Sequence, residues 1–75
     1  MQPYLNLSGA SGVSAYLIGD TFIKVRFKTA PKVYVYSHTN PGSTHVDRMK
    51  QLAIAGSGLS TYISQHVKKN YASIE

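Results

Sequence analysis

The chain has 75 residues, a formal net charge of +5 at pH 7 and no cysteine. A chain this short encloses one core and on folding buries only about 60% of the surface its unfolded form exposes, while the missing cysteines exclude a disulfide framework or a thiolate metal cluster. No segment approaches the roughly 20 apolar residues of a membrane-spanning helix, and the opening MQPYLNLSGASG has no cationic region ahead of an apolar stretch, so the expectation is a soluble cytoplasmic protein with no membrane partner.

Residues 1–12 mix Pro3, Asn6, Gly9 and Gly12 with serines and read as a partly ordered arm, although Tyr4, Leu5 and Leu7 are suited to docking on the body. A single domain is expected over 13–75. Apolar, β-branched and aromatic residues from Val13 to Ile18 predict a strand, Gly19-Asp20 a hairpin turn, and 22–28 a second strand. Thr29-Ala30-Pro31 breaks the pattern, because Pro31 removes a ladder donor, and Lys32 to Ser37 predicts a third strand.

The register of this second hairpin decides which face the tyrosines take, since a slip of one residue turns every side chain over. A three-residue loop at 29–31 sets Arg26 opposite Tyr34 and Lys24 opposite Tyr36. It then gathers Ile23, Val25, Phe27, Val33 and Val35 on the other face, where full burial stabilises each by about 1.5–3 kcal/mol. A four-residue loop pairs Phe27 with Tyr34 and Val25 with Tyr36 and sends both phenols to the core. The separation of apolar from cationic residues favours the shorter loop, and a bulge is the device that would overturn it.

Beyond HTNPG, Thr44 and Asp47 resemble a capping box with Asp in place of Glu, and Val46, Met49, Leu52 and Ala53 fall at helical spacing, predicting a helix over about 44–55. Gly56 suits its end and Ser57 the cap of a second helix at about 59–70. Leu59, Tyr62, Ile63, Val67 and Tyr71 form the apolar stripe of that helix, with Lys68 and Lys69 at its C-terminus. The expected fold is α+β: a three-stranded antiparallel meander followed by two helices packed on one face of the sheet.

The chemistry-bearing residues are few. Asp20, Asp47 and Glu75 are scattered, with no paired carboxylates and no GxSxG elbow, so no enzyme is expected. His38 and His45 bracket a loop without a third ligand, and His66 lies beside the apolar stripe, which argues for solvated or packed histidines and against a metal. No cofactor is implied. GSG at 56–58 offers a glycine-flanked helix N-terminus to a phosphate, yet it follows a helix and lacks the lysine of a nucleotide-binding loop, so a plain interhelix turn is the simpler reading.

Charge is the stronger signal. The first 23 residues hold no Lys or Arg, and all eight lie between Lys24 and Lys69. Such a surface attracts polyanions or acidic protein surfaces, the plain alternative being that it only keeps the domain soluble. Cations that track a backbone and aromatic faces that meet bases are what holds a single strand. Lys24, Arg26, Lys28, Lys32, Tyr34 and Tyr36, helped by Lys68 and Lys69, are therefore the candidate nucleic-acid-binding residues, with RNA or single-stranded nucleic acid as partner. The rival is an assembly module that uses a sheet edge or aromatic face to form a homo-oligomer or to dock on an acidic protein partner or larger complex.

The Tyr34-Val35-Tyr36 pattern after the alternating IKVRF strand, together with the later GSGLSTYISQHVKKNY, resembles the KTSC domain, found at the C-terminus of some lysyl-tRNA synthetases and as a stand-alone small protein in bacteria and phages. The likeness spans about 13–72 and lies in the order and spacing of short motifs. Tyr34 and Tyr36 match the central YxY, Ile63 and Val67 apolar helix positions, and Tyr71 the closing tyrosine. The resemblance implies a small domain for which RNA binding is suggested by the synthetase association. Two departures stand out: the interval from Phe27 to Tyr34 is one residue longer than in much of the family, which bears on the orientation of the tyrosines, and NPGSTHV replaces the usual valine-proline step.

Overall fold

The computed structural model describes residues 1–7, 9, 12–29, 31–67 and 69–75. Its elements are β1 (Gln2–Pro3), β2 (Val13–Ile18), β3 (Phe22–Phe27), β4 (Val33–Ser37), α1 (Ser43–Ala55), α2 (Leu59–Tyr62), which runs on into a π-helical turn Ile63–Val67, and β5 (Ser73–Ile74). The expected α+β class holds, but the antiparallel sheet has five strands in the order β1-β2-β3-β4-β5. The three central strands are those read from the sequence. The two additions are two-residue edges, too short to carry an alternation that a sequence reading could detect.

Where the sequence suggests an arm, residues 2–4 join the body. Gln2 pairs with Tyr16 and Pro3 with Ala15, and Tyr4 N–H donates to the Ser14 carbonyl at 3.0 Å. Tyr4 is buried in the core, and its hydroxyl accepts the Leu59 N–H at 3.2 Å. That phenol takes one of the free donors at the start of α2 and stands where Ser57 was expected. Gly58, in the left-handed region at φ 85°, is the residue that enters the helix, with no side-chain cap.

The Thr44–Asp47 box is likewise not formed: α1 starts one residue earlier, behind Gly42, with no side-chain cap. Asp47 turns instead to His38, Oδ1 3.3 Å from Nε2. Gly56 does end the helix as expected. It adopts φ 76°, ψ 21°, and a Cβ at this position would come within 2.6 Å of the Leu5 Cβ, so both the backbone and the close approach of the N-terminal segment require glycine.

The β3–β4 register corrects the favoured expectation. Ile23 pairs with Tyr36, Lys24 with Val35, Val25 with Tyr34 and Arg26 with Val33, leaving residues 27–32 between the last paired positions. Tyr34 and Tyr36 therefore share the face of Ile23, Val25 and Phe27, while Val33 and Val35 share the face of Lys24 and Arg26. The orientation is that of the rejected alternative, reached through a longer loop. The physical reason is bulk: a phenol ring carries more apolar surface than a valine, and on this face the rings find aromatic partners. Phe27 meets Tyr34 edge to face at 5.4 Å between centroids, and Tyr34 meets Tyr71 at 5.1 Å. A bulge between Val13 and Ala15 of β2 keeps both Val13 and Tyr16 inward.

One buried cluster joins Ile23, Val25 and Tyr36 of the sheet to Val46, Met49 and Ala53 of α1 and to Leu59, Ile63 and Val67. The last three recur every fourth residue, the spacing that keeps a stripe on one side of a helix. Tyr71, read as the end of that stripe, lies past the helix, where the chain returns to the sheet. Ala72 N–H donates to the Val35 carbonyl at 2.7 Å and Glu75 N–H to the Val33 carbonyl at 2.7 Å, which lays β5 along β4.

Candidate functional site

The alternation of β3 sends Lys24 and Arg26 to the side of the sheet opposite the core. Lys24 Nζ lies 2.9 Å from Glu75 Oε2 and 5.7 Å from the centre of the Phe22 ring. Both ends of the ion pair keep solvent contact, so it is a weak bond energetically, but it places an acid on the basic face. Arg26, Lys28 and Lys32 are exposed around the β3–β4 connection, and among the described residues no ion pair engages them. Lys28 is fixed at the backbone, its N–H donating to the Gly12 carbonyl at 2.8 Å. Lys69 is exposed as well. Lys68, named with it from the sequence, lies outside the described residues.

The sequence reading put Tyr34 and Tyr36 beside Lys24 and Arg26, and the register separates them. Tyr36 is buried, at 1% exposure. Burial first, and then the neighbouring phenols of Tyr34 and Tyr71, push its hydroxyl from the ordinary 10.0 up to about 12, so it remains a neutral donor. Tyr34 is half-buried against the core.

Two depressions flank the end of the β3–β4 hairpin. The shallow one is lined by Ser14, Arg26, Phe27, Lys28, Thr29 and Pro31. The other, of about 360 Å³, is lined by Phe27, Thr29, Tyr34, Tyr36, Ile63, Tyr71, Gly12 and Lys69. They share Phe27 and Thr29, so cations and aromatic rings do adjoin, at the hairpin end and not across the sheet face. Sequence reasoning passed over Phe27, Thr29 and Glu75. Lys69-Asn70 before Tyr71, a polar step off the apolar stripe, is the signal that Tyr71 has left the helix.

The remaining polar groups form local contacts. His45 Nδ1 lies 2.7 Å from the Tyr62 hydroxyl, and the Tyr62 and His66 rings stack with centroids 4.4 Å apart. Among the described residues no three His, Cys, Asp or Glu side chains converge on a point where a metal ion could sit. The His38–Asp47 pair has no hydroxyl nucleophile hydrogen-bonded to the imidazole among those residues. The glycine turn at 56–58 is an interhelix connection whose Leu59 N–H is already taken by Tyr4. No helix of the described chain is long and apolar enough to cross a membrane.

No protein-family model, curated protein or solved structure matches the chain. The functional reading therefore rests on the residues themselves.

Proposed function

We propose that this protein is a non-enzymatic, KTSC-like binding module that holds RNA or another single strand at the β3–β4 hairpin end, with Arg26, Lys28, Lys32 and Lys69 as phosphate contacts. In this reading the two helices cover only the Ile23–Val25–Tyr36 face, and the Lys24–Arg26 face stays open to the ligand. The observation that carries the reading is the gathering of exposed cations, unengaged by acids among the described residues, around aromatic side chains that reach the same hairpin end. A single strand is bound by such a mixture because its phosphates are too closely spaced to leave unneutralised and its bases have free faces. Lys24, occupied by Glu75, is a lesser contact.

The test is a retardation titration of the protein against short single-stranded RNA, single-stranded DNA and duplex at two ionic strengths. Neutralising three or four phosphates of a single strand gives a logarithmic salt slope of about -2 to -3. Arg26→Ala and Lys28→Ala each flatten it by about 0.7. Absence of binding to every nucleic acid, or an affinity indifferent to salt, rules the reading out.

A second reading, self-association, is favoured by one observation: Met1, Gln2, Tyr16, Leu17, Ile18 and Ile54 line an apolar groove without a charged side chain. A second copy covering Leu17, Ile18 and Ile54 there would take exposed apolar surface out of water, and a small core gains from association. Light scattering on a size-exclusion column decides it, since a mass equal to one chain at every concentration removes this reading.

A further inference from the structure

The cleft of Phe27, Tyr34, Tyr36, Tyr71, Thr29 and Lys69 has the construction of a site for a planar guest. Its rings stand at right angles in series: Phe27 to Tyr34 at 78°, Tyr34 to Tyr71 at 74°, Tyr71 to Tyr36 at 88°. A flat molecule lying along one of these rings meets the next with its edge, and both arrangements are attractive. Phe27, Tyr34 and Tyr71 are half-buried, so part of each ring faces the opening, and Tyr36 closes the floor. Among the described residues no group hydrogen-bonds to the hydroxyls of Tyr34, Tyr36 or Tyr71, in contrast to Tyr4, Tyr16 and Tyr62, whose hydroxyls are all engaged. Burial and mutual repulsion keep Tyr36 protonated, so its hydroxyl stays a donor. The volume, about 360 Å³, falls at the small end of ligand sites. Lys69 stands at one side, and across Thr29 and Phe27 the neighbouring depression brings Arg26 and Lys28.

We propose that this cleft receives one unstacked base of a single strand, its edge read by the tyrosine hydroxyls, while Lys69 and the Arg26–Lys28 side hold the phosphates on either flank. This rests on the single-strand reading above and adds to it a base-recognising pocket on the core side of the sheet. Base–aromatic contact is tolerant of sequence because every base has a π-face, so the pocket distinguishes a base from no base more strongly than one base from another.

The experiment measures the affinity of the intact protein for an eight-nucleotide uridine strand and for the same strand built with abasic sugars, which carries the same phosphates. The base-bearing strand is expected to bind about tenfold or more tightly. Tyr34→Leu, which takes one ring and one hydroxyl out of the cleft, should cut that preference severalfold, and circular dichroism confirms its fold. Lys28→Ala should weaken both strands alike. Equal affinity of the two strands for the native protein, or a preference undiminished in Tyr34→Leu, overturns the base pocket and leaves the phosphate contacts standing. If neither strand binds, the single-strand reading falls and the pocket with it.

Discussion

Lys24 and Glu75 meet across β4, with the ammonium 2.9 Å from one carboxylate oxygen and 3.0 Å from the other. The contact joins β3 to the residue that follows β5, and it sets a carboxylate beside Lys24 and Arg26 on the side of the sheet opposite the core. Glu75→Gln should therefore strengthen binding of a single-stranded RNA and steepen its logarithmic salt slope by about 0.7, the share of one extra phosphate. Folding stability, followed by urea denaturation, should fall by less than about 1 kcal/mol, because both partners are solvated. A weaker complex would show that Glu75 is not competing for Lys24.

The Tyr36 hydroxyl gives the fold a dependence on alkaline pH. Its pKa rises from 10.0 to about 12 on folding, so the folded state retains a proton that the unfolded state releases. The stabilisation is complete below pH 10 and is lost as pH climbs from 10 toward 12. Urea titrations at pH 8, 10 and 11 should show stability declining more steeply in the native protein than in Tyr36→Phe. Parallel declines would contradict the buried phenol.

Neighbouring substitutions on β4 check the register directly. Val35→Lys lies opposite Lys24, on the side of the sheet away from the core, and should cost about 1 kcal/mol, mostly lost strand preference. Tyr36→Lys puts an ammonium into a position with 1% exposure, at a penalty comparable to the entire stability of a small domain, on the order of 5 kcal/mol. The expected result is a folded Val35→Lys protein and an unfolded Tyr36→Lys protein by circular dichroism. The reverse outcome would restore the three-residue loop.

Gly56→Ala meets two obstacles at once, a left-handed backbone at φ 76° and the Leu5 side chain where its methyl would go. The loss should exceed the 1 kcal/mol or so of an alanine forced into that conformation alone. Adding Leu5→Gly should recover the steric part and not the backbone part, a double-mutant cycle with a coupling energy readable by thermal denaturation.

The strands from Val13 to Ser37 and the helices behind Gly42 and Gly58 were legible because alternation, the three-then-four spacing of Val46, Met49 and Ala53 and the i, i+4 spacing of Leu59, Ile63 and Val67 are long enough to read. β1 and β5 were not, since two residues carry no period. The tyrosine face failed for a different reason. Lys24-Val25-Arg26 and Val33-Tyr34-Val35-Tyr36 each have a definite alternation, but their relative phase is set in the loop between them, and both phases bury a coherent set of side chains. What tipped it is Tyr71, contributed from far along the chain, whose ring packs on Tyr34. The candidate site inherited the same ambiguity: Arg26, Lys28, Lys32 and Lys69 are exposed and Lys24 is partly covered and paired with Glu75, whereas the aromatic neighbours of these cations depend on tertiary contacts that no local pattern encodes.

The brevity of β1 and β5 bears on how the molecule behaves in crowded solution. A long bare margin invites addition of foreign strands and growth into fibres, yet here the outermost ladders are two residues long, and one of them includes Pro3, which has no amide hydrogen to offer. Concentrated preparations should accordingly resist amyloid-type growth, and any lasting union between copies must be made by side chains instead of by extending the sheet.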